Sequence, residues 1–207
     1  MDEIKMKREI GKQYNTYDDY INHQKVKTTD PRRRKLWLGE EWQMKIDIFK
    51  NIFNRYKNMD ILKENMKCLC FGARTGQEVV ALNEIGMDAI GIDIVPQKPY
   101  VIEGDIHKAP FENESFDFVF TNIVDHSIYP EKFISEMERV VKPNGHILVQ
   151  LQLNCKSDVY AENDVYSSKP VIKLFKNSNV IIDNKIPFTL SMNWEFLMKK
   201  NKDNKQN

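Results

Sequence analysis

Residues 69–82 read LCFGARTGQEVVAL, and this stretch decides the fold. The apolar run Lys67–Phe71 is typical of a buried β-strand, and residues 77–85 have the pattern of a helix that ends at Gly86. The turn between them, GARTG, holds two glycines that allow the backbone to approach a ligand closely. A strand, a tight turn and a helix in this order predict the first part of a β-α-β unit.

The residues that follow complete this unit. Thr75 and Glu78 have the Ser/Thr-x-x-Glu spacing of a capping box, which predicts that the helix begins at this point. Residues 89–92 predict a second strand that ends at Asp93. The two strands are expected to be parallel, with a right-handed crossover between them.

The rest of the core alternates in the same way. Short apolar runs predict strands, and apolar residues at three- and four-residue spacing predict helices. The predicted strands are Val101–Glu103, Phe116–Thr121 and 147–151, and the predicted helices are 40–56, 131–141 and, shorter, 170–175. The Pro-Asn-Gly sequence at 143–145 predicts a turn before one of these strands. Two final strands, 180–182 and 194–198, lack a long helix between them and are expected to pair antiparallel at the sheet edge.

Charge and composition exclude some classes of protein. The 207 residues include 31 Lys and Arg and 30 Asp and Glu, so a net charge of +1 gives no overall field that would steer the chain to nucleic acid. No apolar stretch reaches the length of a membrane span, and the three cysteines lack the spacing of a metal site or a redox pair. We therefore expect a soluble, cytoplasmic protein without a bound metal, in which Cys68 and Cys70 are reduced and lie inside a strand.

The chain divides into three segments. Residues 1–38 are polar and show no sustained apolar period, so we expect an extension outside the core. This extension contains three tyrosines and a basic cluster, namely Tyr14, Tyr17, Tyr20, Arg32, Arg33, Arg34 and Lys35. Cations among aromatic residues suit a nucleic-acid or phosphate-binding arm, a solvated surface, or a lid over the site. Residues 39–200 are expected to form the α/β domain, and residues 201–207 a frayed tail.

Asp93 is the first candidate for a cofactor contact. It follows Gly76 by 17 residues, about where an acidic residue accepts hydrogen bonds from ribose hydroxyls in dinucleotide-binding folds. An aspartate that caps the following turn is the structural alternative. A nicotinamide dinucleotide needs the third glycine of G-x-G-x-x-G, whereas the middle position of this turn is Arg74. This difference disfavours a dinucleotide relative to S-adenosylmethionine, which shares its adenosine end.

Taken together, the motifs resemble those of class I S-adenosylmethionine-dependent methyltransferases. GARTG stands where that family has its G-x-G-x-G loop, IGIDIVP resembles the acidic second strand, and EGDIHKAPFENESFDFVFTN resembles the third and fourth strands. ISEMERVVKPNGHILVQ is similar to the family's helix, Pro-x-Gly turn and fifth strand. The resemblance covers residues 66–152 closely and the last two strands loosely. GARTGQEV followed by GIDIVP and NIVDHSIYP is, more narrowly, similar to small plant methyltransferase-like proteins.

The resemblance implies a fold, a cofactor and a set of contacts. The fold is α/β, a Rossmann-like, doubly wound, mostly parallel seven-stranded sheet with an antiparallel C-terminal edge hairpin, and residues 39–200 would be the methyltransferase domain. The cofactor is S-adenosylmethionine. Its implied binding residues are Gly72, Ala73, Arg74, Gly76, Asp93, Ile94, Asp105, Ile106 and Asn122.

Each implied contact has a physical reason. The glycine-containing turn would line the methionine part of the cofactor, Asp93 would accept from the ribose hydroxyls, and Asp105 from the adenine amino group. Ile94 and Ile106 would pack against the flat base. Arg74 would either form a forked pair with the methionine carboxylate or point to solvent. For Asp105, the alternative is an aspartate that caps the turn after Gly104.

The candidate catalytic residues follow the fourth core strand. Methyl transfer is an in-line displacement, so holding the acceptor and the methyl group in line supplies much of the catalysis. Asn122, Asp125 and His126 lie at the edge that would face the methyl group. His126 is the candidate base, and Asp125 is its orienter or a group that binds the acceptor. A structural, hydrogen-bonded histidine is the alternative.

The sequence thus predicts an S-adenosylmethionine-dependent methyltransferase that acts on an unidentified acceptor, with a small-molecule oxygen or nitrogen favoured over RNA or protein. An RNA methyltransferase is the alternative that the basic cluster supports, although TNIVDH stands where an Asn-Pro-Pro-Tyr-like sequence would indicate base methylation. A methyltransferase-like binding subunit without catalysis is a second alternative. A dehydrogenase is disfavoured because we find no catalytic Tyr-x-x-x-Lys sequence.

Overall fold

A seven-stranded sheet forms the centre of the computed structural model, which describes residues 4–155 and 158–202. The elements in chain order are β1 (Ile4–Met6), α1 (Tyr17–Thr29), α2 (Pro31–Leu38), α3 (Trp42–Asn58), β2 (Lys67–Phe71), α4 (Gln77–Glu84), β3 (Asp88–Asp93), β4 (Val101–Glu103), β5 (Phe116–Thr121), α5 (Pro130–Val140), β6 (Val141–Leu151), β7 (Asn163–Val165), α6 (Ser168–Ile172), β8 (Ser178–Thr189) and β9 (Met192–Lys200). The strand order in the large sheet is β4-β3-β2-β5-β6-β9-β8.

The predicted β-α-β unit is confirmed. β2 and β3 are parallel and lie side by side, with Leu69 opposite Ile90 and Phe71 opposite Ile92. β5 pairs with the other edge of β2, also in parallel. The chain therefore continues to both sides of β2, which creates the topological switch point where open α/β sheets bind their ligands.

The predicted capping box at α4 is wrong. The residue that caps the helix is Gly76, whose φ of +90° lies in the left-handed region, and it offers no side-chain hydrogen bond. A capping box needs a Ser or Thr with extended backbone at that position. The Thr75 hydroxyl instead donates to the side-chain oxygen of Gln77, and Glu78 is buried.

The two faces of the sheet carry separate hydrophobic clusters. Side chains alternate along β2, so Leu69 and Phe71 face the helix α5, whereas Cys68 and Cys70 face α3 and α4. Both cysteines are buried and free, as the sequence predicts. Helices on both faces make the sheet doubly wound, as predicted.

The C-terminal hairpin also forms as predicted, although its strands are longer. β9 pairs antiparallel with both β6 and β8, so β9 is the one strand of this sheet that runs against the others. The predicted turn at 143–145 lies inside β6. Phe116 pairs with Val141 and Phe118 with His146, so the chain of β6 bulges between these pairs.

Residues 4–38 are folded. β1 pairs antiparallel with β7, and α1 and α2 lie across the carboxyl ends of the central strands. Tyr14 and Tyr20 form a small hydrophobic cluster of their own with Ile128. Ile4 packs against the main cluster that contains Leu69 and Phe71. The segment consists largely of helices that the lack of an apolar period did not indicate.

No helix among the described residues is long and apolar enough to cross a membrane. Residues 203–207 of the predicted frayed tail lie outside the described residues. Asn201 is described, and its amide donates to the carbonyl of Asn177.

Candidate active site

Four adjacent parallel strands place the predicted site residues at one edge of the sheet. The loop 72–76 follows β2, Asp93 ends β3, Asp105 follows β4, and residues 122–126 follow β5. Because β4, β3, β2 and β5 are neighbours in this order, their carboxyl ends meet at one edge. Nearly all of the predicted site residues line one of two cavities there: Gly72, Ala73, Arg74, Asp93, Ile94, Asp105, Ile106, Asn122, Asp125 and His126.

The loop 72–76 needs its glycines for two reasons. Gly72 and Gly76 have φ values of +69° and +90°, which favour glycine. At Gly76, a Cβ atom would also lie 2.8 Å from the Cβ of Tyr100. The side chain of Ala73 is fully buried, so this residue presents its backbone to the cavity.

Asp93 is buried at the end of β3 and serves as an anchor for two turns. One carboxylate oxygen accepts from the Arg74 amide at 3.0 Å, and the other from the Val95 amide at 2.9 Å. Burial raises the pKa of this carboxyl, against the lowering effect of the two amides and of the Arg74 charge. Asp93 therefore caps its turn and at the same time lines the smaller cavity.

Asp105 is engaged by two side chains that reach it from different directions. The Tyr17 hydroxyl of α1 lies 2.8 Å from one carboxylate oxygen, and His107 contacts the other oxygen through its amide at 2.8 Å and its Nδ1 at 3.1 Å. Burial alone would raise the pKa of Asp105, but the hydrogen bonds from His107 and Tyr17 lower it to about 2. The carboxylate is consequently charged and already occupied.

The helix α1 nearly closes the space beside Asp105. The smaller cavity has a volume of only about 60 Å³, with Tyr20 and Ile21 of α1 on one side and Ile94 and Ile106 on the other. The neighbouring larger cavity has a volume of about 530 Å³. Ligand pockets usually span roughly 300–1,000 Å³, so the larger cavity alone has the size of a ligand site.

Arg74 lies over an aromatic ring, and its pairing with a methionine carboxylate stays a prediction. Its φ is +48°, and its guanidinium lies over the ring of Trp37, 4.5 Å from the ring centroid. Trp37 belongs to α2 and is itself buried, and its carbonyl accepts from the Gln77 side chain. Among the residues that the structure describes, no carboxylate forms an ion pair with this guanidinium, so its donors are available to a ligand in either cavity.

His126 lies in a short 3₁₀ helix, Val124–His126, that follows β5. Its Nδ1 lies 2.9 Å from the carbonyl oxygen of Tyr160. A carbonyl only accepts, so Nδ1 carries the proton, and the unprotonated Nε2 lies 3.4 Å from the Lys27 ammonium. Burial lowers the pKa of His126, and the nearby Lys27 charge adds to this effect while Asp125 opposes it. His126 is therefore a neutral imidazole whose Nε2 can accept a proton.

The expectation that Asp125 orients His126 through a hydrogen bond is wrong. The Asp125 carboxylate is 3.8 Å from Nε2, beyond hydrogen-bond distance, and the Tyr160 carbonyl does the orienting. Asp125 still lines the larger cavity, and its alternative role, to bind the acceptor, stays a prediction.

The sequence did not indicate Lys27 as a site residue. Its ammonium group lies 2.5 Å from Asp158 and 3.4 Å from Nε2 of His126, and it is only 9% exposed. Burial lowers the pKa of Lys27, with Arg74 adding to this and Asp158 opposing it. No sequence pattern separates this lysine from the other cations of the segment. Among the described residues, no three His, Cys, Asp or Glu side chains are grouped so that they could hold a metal ion.

Comparisons with known proteins find methyltransferases. Residues 69–149 match the family described as a methyltransferase domain. Phthiotriol/phenolphthiotriol dimycocerosates methyltransferase of Mycobacterium leprae is 44% identical over 48 residues, and sterol 4-C-methyltransferase strm-1 of Caenorhabditis elegans is 27% identical over 111 residues. These stretches cover 22% and 42% of this chain but only 17% and 31% of the two relatives.

A solved structure matches over most of the chain. It is that of 1,6-didemethyltoxoflavin-N1-methyltransferase of Burkholderia thailandensis, with bound 1,6-didemethyltoxoflavin and S-adenosylhomocysteine. The TM-score is 0.66 at 10% sequence identity, over 88% of each chain. At this identity the likeness concerns the fold. Residues 69–149 thus match a methyltransferase domain, and the chain shares the Rossmann-like α/β fold of this solved methyltransferase.

Proposed function

We propose that the protein is an S-adenosylmethionine-dependent methyltransferase that acts on an oxygen or nitrogen atom of a small molecule. The observation that carries this proposal is the edge of the sheet at which the loop 72–76, Asp93 and His126 line two adjoining cavities. The names of the relatives and of the matching structure support small acceptors, since they refer to a lipid, a sterol and a toxoflavin precursor.

The residues present fit S-adenosylmethionine, provided that α1 moves. The methionine part has room in the larger cavity, beside the 72–76 backbone and the Arg74 guanidinium. Asp93 lines the smaller cavity, where the ribose hydroxyls would meet its carboxylate. Adenine would bind against Ile94, Ile106 and Asp105, but the space there is too small for a base while Tyr17 and Tyr20 occupy their present positions.

The segment that contains α1 and α2 is accordingly a lid in this proposal. It would open to admit the adenosine end of the cofactor and close again to exclude water from the larger cavity. The closed position is held by hydrogen bonds to residues of the core, among them those of Tyr17 with Asp105 and of Tyr20 with the His126 carbonyl.

The bound cofactor supplies a methyl group on a sulfonium sulfur. The chain has two tasks, to position the acceptor atom in line with that methyl group and to remove a proton from it where the acceptor has one. His126 suits the second task because its Nε2 is unprotonated and the residue lines both cavities. Asn122 and Asp125 line the same wall and would hydrogen-bond the acceptor.

The basic cluster gives weaker support to the alternative of an RNA methyltransferase. Arg33 lies over the Tyr160 ring, and Arg34 donates to the side chain of Gln97. Two of the four cations are therefore directed to the protein itself. Arg32 and Lys35 are exposed on α2.

Calorimetric titration with S-adenosylmethionine and, separately, with NAD tests the proposal. We expect saturable binding of S-adenosylmethionine alone, lost in Asp93→Ala. Asp88→Ala is the matched control, because Asp88 is exposed at the opposite end of the same strand, β3. Binding of NAD would favour a dehydrogenase, and binding of neither would favour a subunit without catalysis.

A further inference from the structure

The larger cavity has an apolar wall and equal numbers of cationic and acidic side chains, four of each. Its apolar side chains are Met44, Phe49, Ile123, Leu190 and Met192. Its cationic side chains are Lys27, Arg33, Lys45 and Arg74, and its acidic ones are Glu41, Glu78, Asp125 and Asp158. Some of these charged groups form ion pairs with each other and others do not. The groups without an ion pair determine which charge the cavity offers to a ligand.

The two lysines are neutralised by partners in the protein. Lys27 pairs with Asp158 at 2.5 Å, and Lys45 pairs with Glu41 at 2.6 Å. Glu78 is buried, and burial raises the pKa of its carboxyl to about 7, so at neutral pH this group carries only part of a negative charge. Glu78 and Asp125 are thus the acids of this wall that have no ion pair with a lysine or arginine of the described residues.

The two arginines, by contrast, have no carboxylate partner in the described part of the chain. Each lies over an aromatic ring: Arg74 is 4.5 Å from the centroid of Trp37, and Arg33 is 5.4 Å from that of Tyr160. A guanidinium that rests on a ring keeps its in-plane donors free for a forked hydrogen bond to an oxyanion. Both side chains are therefore held in position for an anion.

One of these arginines is accounted for by the cofactor. The methionine part of S-adenosylmethionine has a single carboxylate, and Arg74 in the loop 72–76 is the arginine next to it under the proposed function. Arg33 on α2 then has no carboxylate partner among the described residues or in the cofactor. A second anionic group in the cavity has to come from the acceptor.

We propose that the methyl acceptor is a small amphipathic molecule with a carboxylate or phosphate group, which the Arg33 guanidinium binds while the apolar wall of the larger cavity contacts the rest of the molecule. This inference rests on the proposed function, because the acceptor site exists only beside a bound cofactor. Arg33 is a residue for acceptor specificity, and α2 brings it to the site together with Trp37.

The test is a titration of the protein saturated with S-adenosylhomocysteine. The probes are 4-hydroxybenzoate and phenyl phosphate, which distinguish a carboxylate site from a phosphate site, and benzyl alcohol as the neutral comparison. We expect at least one anion to bind about tenfold or more tightly than benzyl alcohol, as a charge-assisted hydrogen bond implies. Arg33→Gln should weaken the binding of that anion by a similar factor and leave the affinity for benzyl alcohol unchanged.

Arg32→Gln is the matched control, because Arg32 precedes Arg33 on the same helix but is exposed. It should leave all three affinities within about twofold. Arg33→Lys keeps the charge without the fork and should give an intermediate loss, which guards against a folding defect in the glutamine variant. Anions that bind no better than benzyl alcohol overturn the proposal, and so does an equal effect of the two glutamine variants.

Three further outcomes are distinguishable. Tight binding of a single-stranded oligonucleotide that both glutamine variants weaken equally would assign the basic cluster to RNA and contradict a small anionic acceptor. A protein that does not bind S-adenosylhomocysteine at all would refute the proposed function, and this inference with it. A protein that binds S-adenosylhomocysteine but neither anion would refute this inference alone.

Discussion

The Tyr17 hydroxyl of the first helix lies 2.8 Å and 3.0 Å from the two carboxylate oxygens of Asp105, across the carboxyl edge of the sheet. The same hydroxyl is 2.6 Å from Nδ1 of His107, whose Nε2 contacts the Ser127 hydroxyl at 2.7 Å. The charged carboxylate is thus held by a network that joins the N-terminal segment to the core. Asp105 was predicted to bind adenine, so this network competes with the cofactor for the same oxygens.

Loss of the Tyr17 hydroxyl should therefore favour cofactor binding. A hydrogen bond to a charged group contributes about 1.5–3 kcal/mol, and the cofactor no longer has to break it in Tyr17→Phe. We expect S-adenosylhomocysteine to bind roughly tenfold more tightly to this variant in calorimetric titration. Tyr129→Phe is the control, because this ring stacks on Tyr17 but its hydroxyl takes no part in the network. Equal or weaker binding to Tyr17→Phe would argue against competition.

Arg74 should contribute to binding the methionine part of the cofactor only. We expect Arg74→Ala to weaken the binding of S-adenosylhomocysteine about tenfold or more, because the variant loses charge-assisted hydrogen bonds to the carboxylate of the ligand. Binding of 5′-methylthioadenosine, which lacks that carboxylate, should stay within about twofold. Calorimetry with both ligands measures the difference. If both lose affinity equally, Arg74 supports the loop through Trp37 instead of binding the carboxylate.

His126 should affect turnover far more than cofactor binding. With an acceptor identified by screening, His126→Gln should lower kcat by roughly 10²–10⁴, the range of a general base, and leave the affinity for S-adenosylhomocysteine nearly unchanged. His146→Gln, a histidine of β6 that lines neither cavity, is the control. Similar losses in turnover and in binding would indicate a structural histidine.

The pH dependence of the wild-type enzyme follows from the same residue. Burial lowers the pKa of His126 below its ordinary value of 6.5, and the base is active only when neutral. Activity should therefore be full at pH 7 and fall only at more acidic pH, with the midpoint of the acid limb below 6.5. An acid limb centred above pH 7 in the kcat profile would exclude His126 as the base.

Glu78 should make the fold less stable as the pH rises. Burial raises the pKa of this carboxyl from 4.5 to about 7, so the folded state favours the protonated form. The contribution of the Glu78 side chain to the free energy of unfolding is fully present below about pH 4.5 and is lost as the pH rises through about 7. Glu78→Gln should remove this loss and stabilise the protein at pH 8 by an amount of order 1–3 kcal/mol relative to wild type. Denaturant unfolding of both proteins at pH 5 and pH 8 measures this difference in stability. If Glu78→Gln and wild type differed by the same amount at both pH values, the prediction would be contradicted.

The strands of the core could be predicted from the sequence because they are apolar runs of normal length. The register of β2 with β3 and β5 follows from the same alternation, with Cys68 and Cys70 on one face and Leu69 and Phe71 on the other. The start of α4 could not be predicted, since the Thr75 and Glu78 spacing suits a capping box, whereas the left-handed backbone of Gly76 is set by the loop around it.

The N-terminal part of the site was missed for a different reason. α1 buries only Tyr20, Lys27 and Thr28, so it has no apolar period by which a helix could be predicted. Its contacts with Asp105 and His126 link residues far apart in the chain, and no local pattern encodes them. The site residues of the core, by contrast, lie at the ends of strands, and the sequence does indicate where these strands end.

Hydrogen–deuterium exchange of the protein with and without S-adenosylhomocysteine tests the proposed site and lid most directly. We expect slower exchange on binding in the loop 72–76 and at the end of β3, together with a change in α1, where Tyr17 has to leave Asp105. The strand β8 at the far edge of the sheet should be unchanged. If saturating ligand leaves the loop and α1 unaffected, neither the site at the carboxyl edge nor the lid is correct.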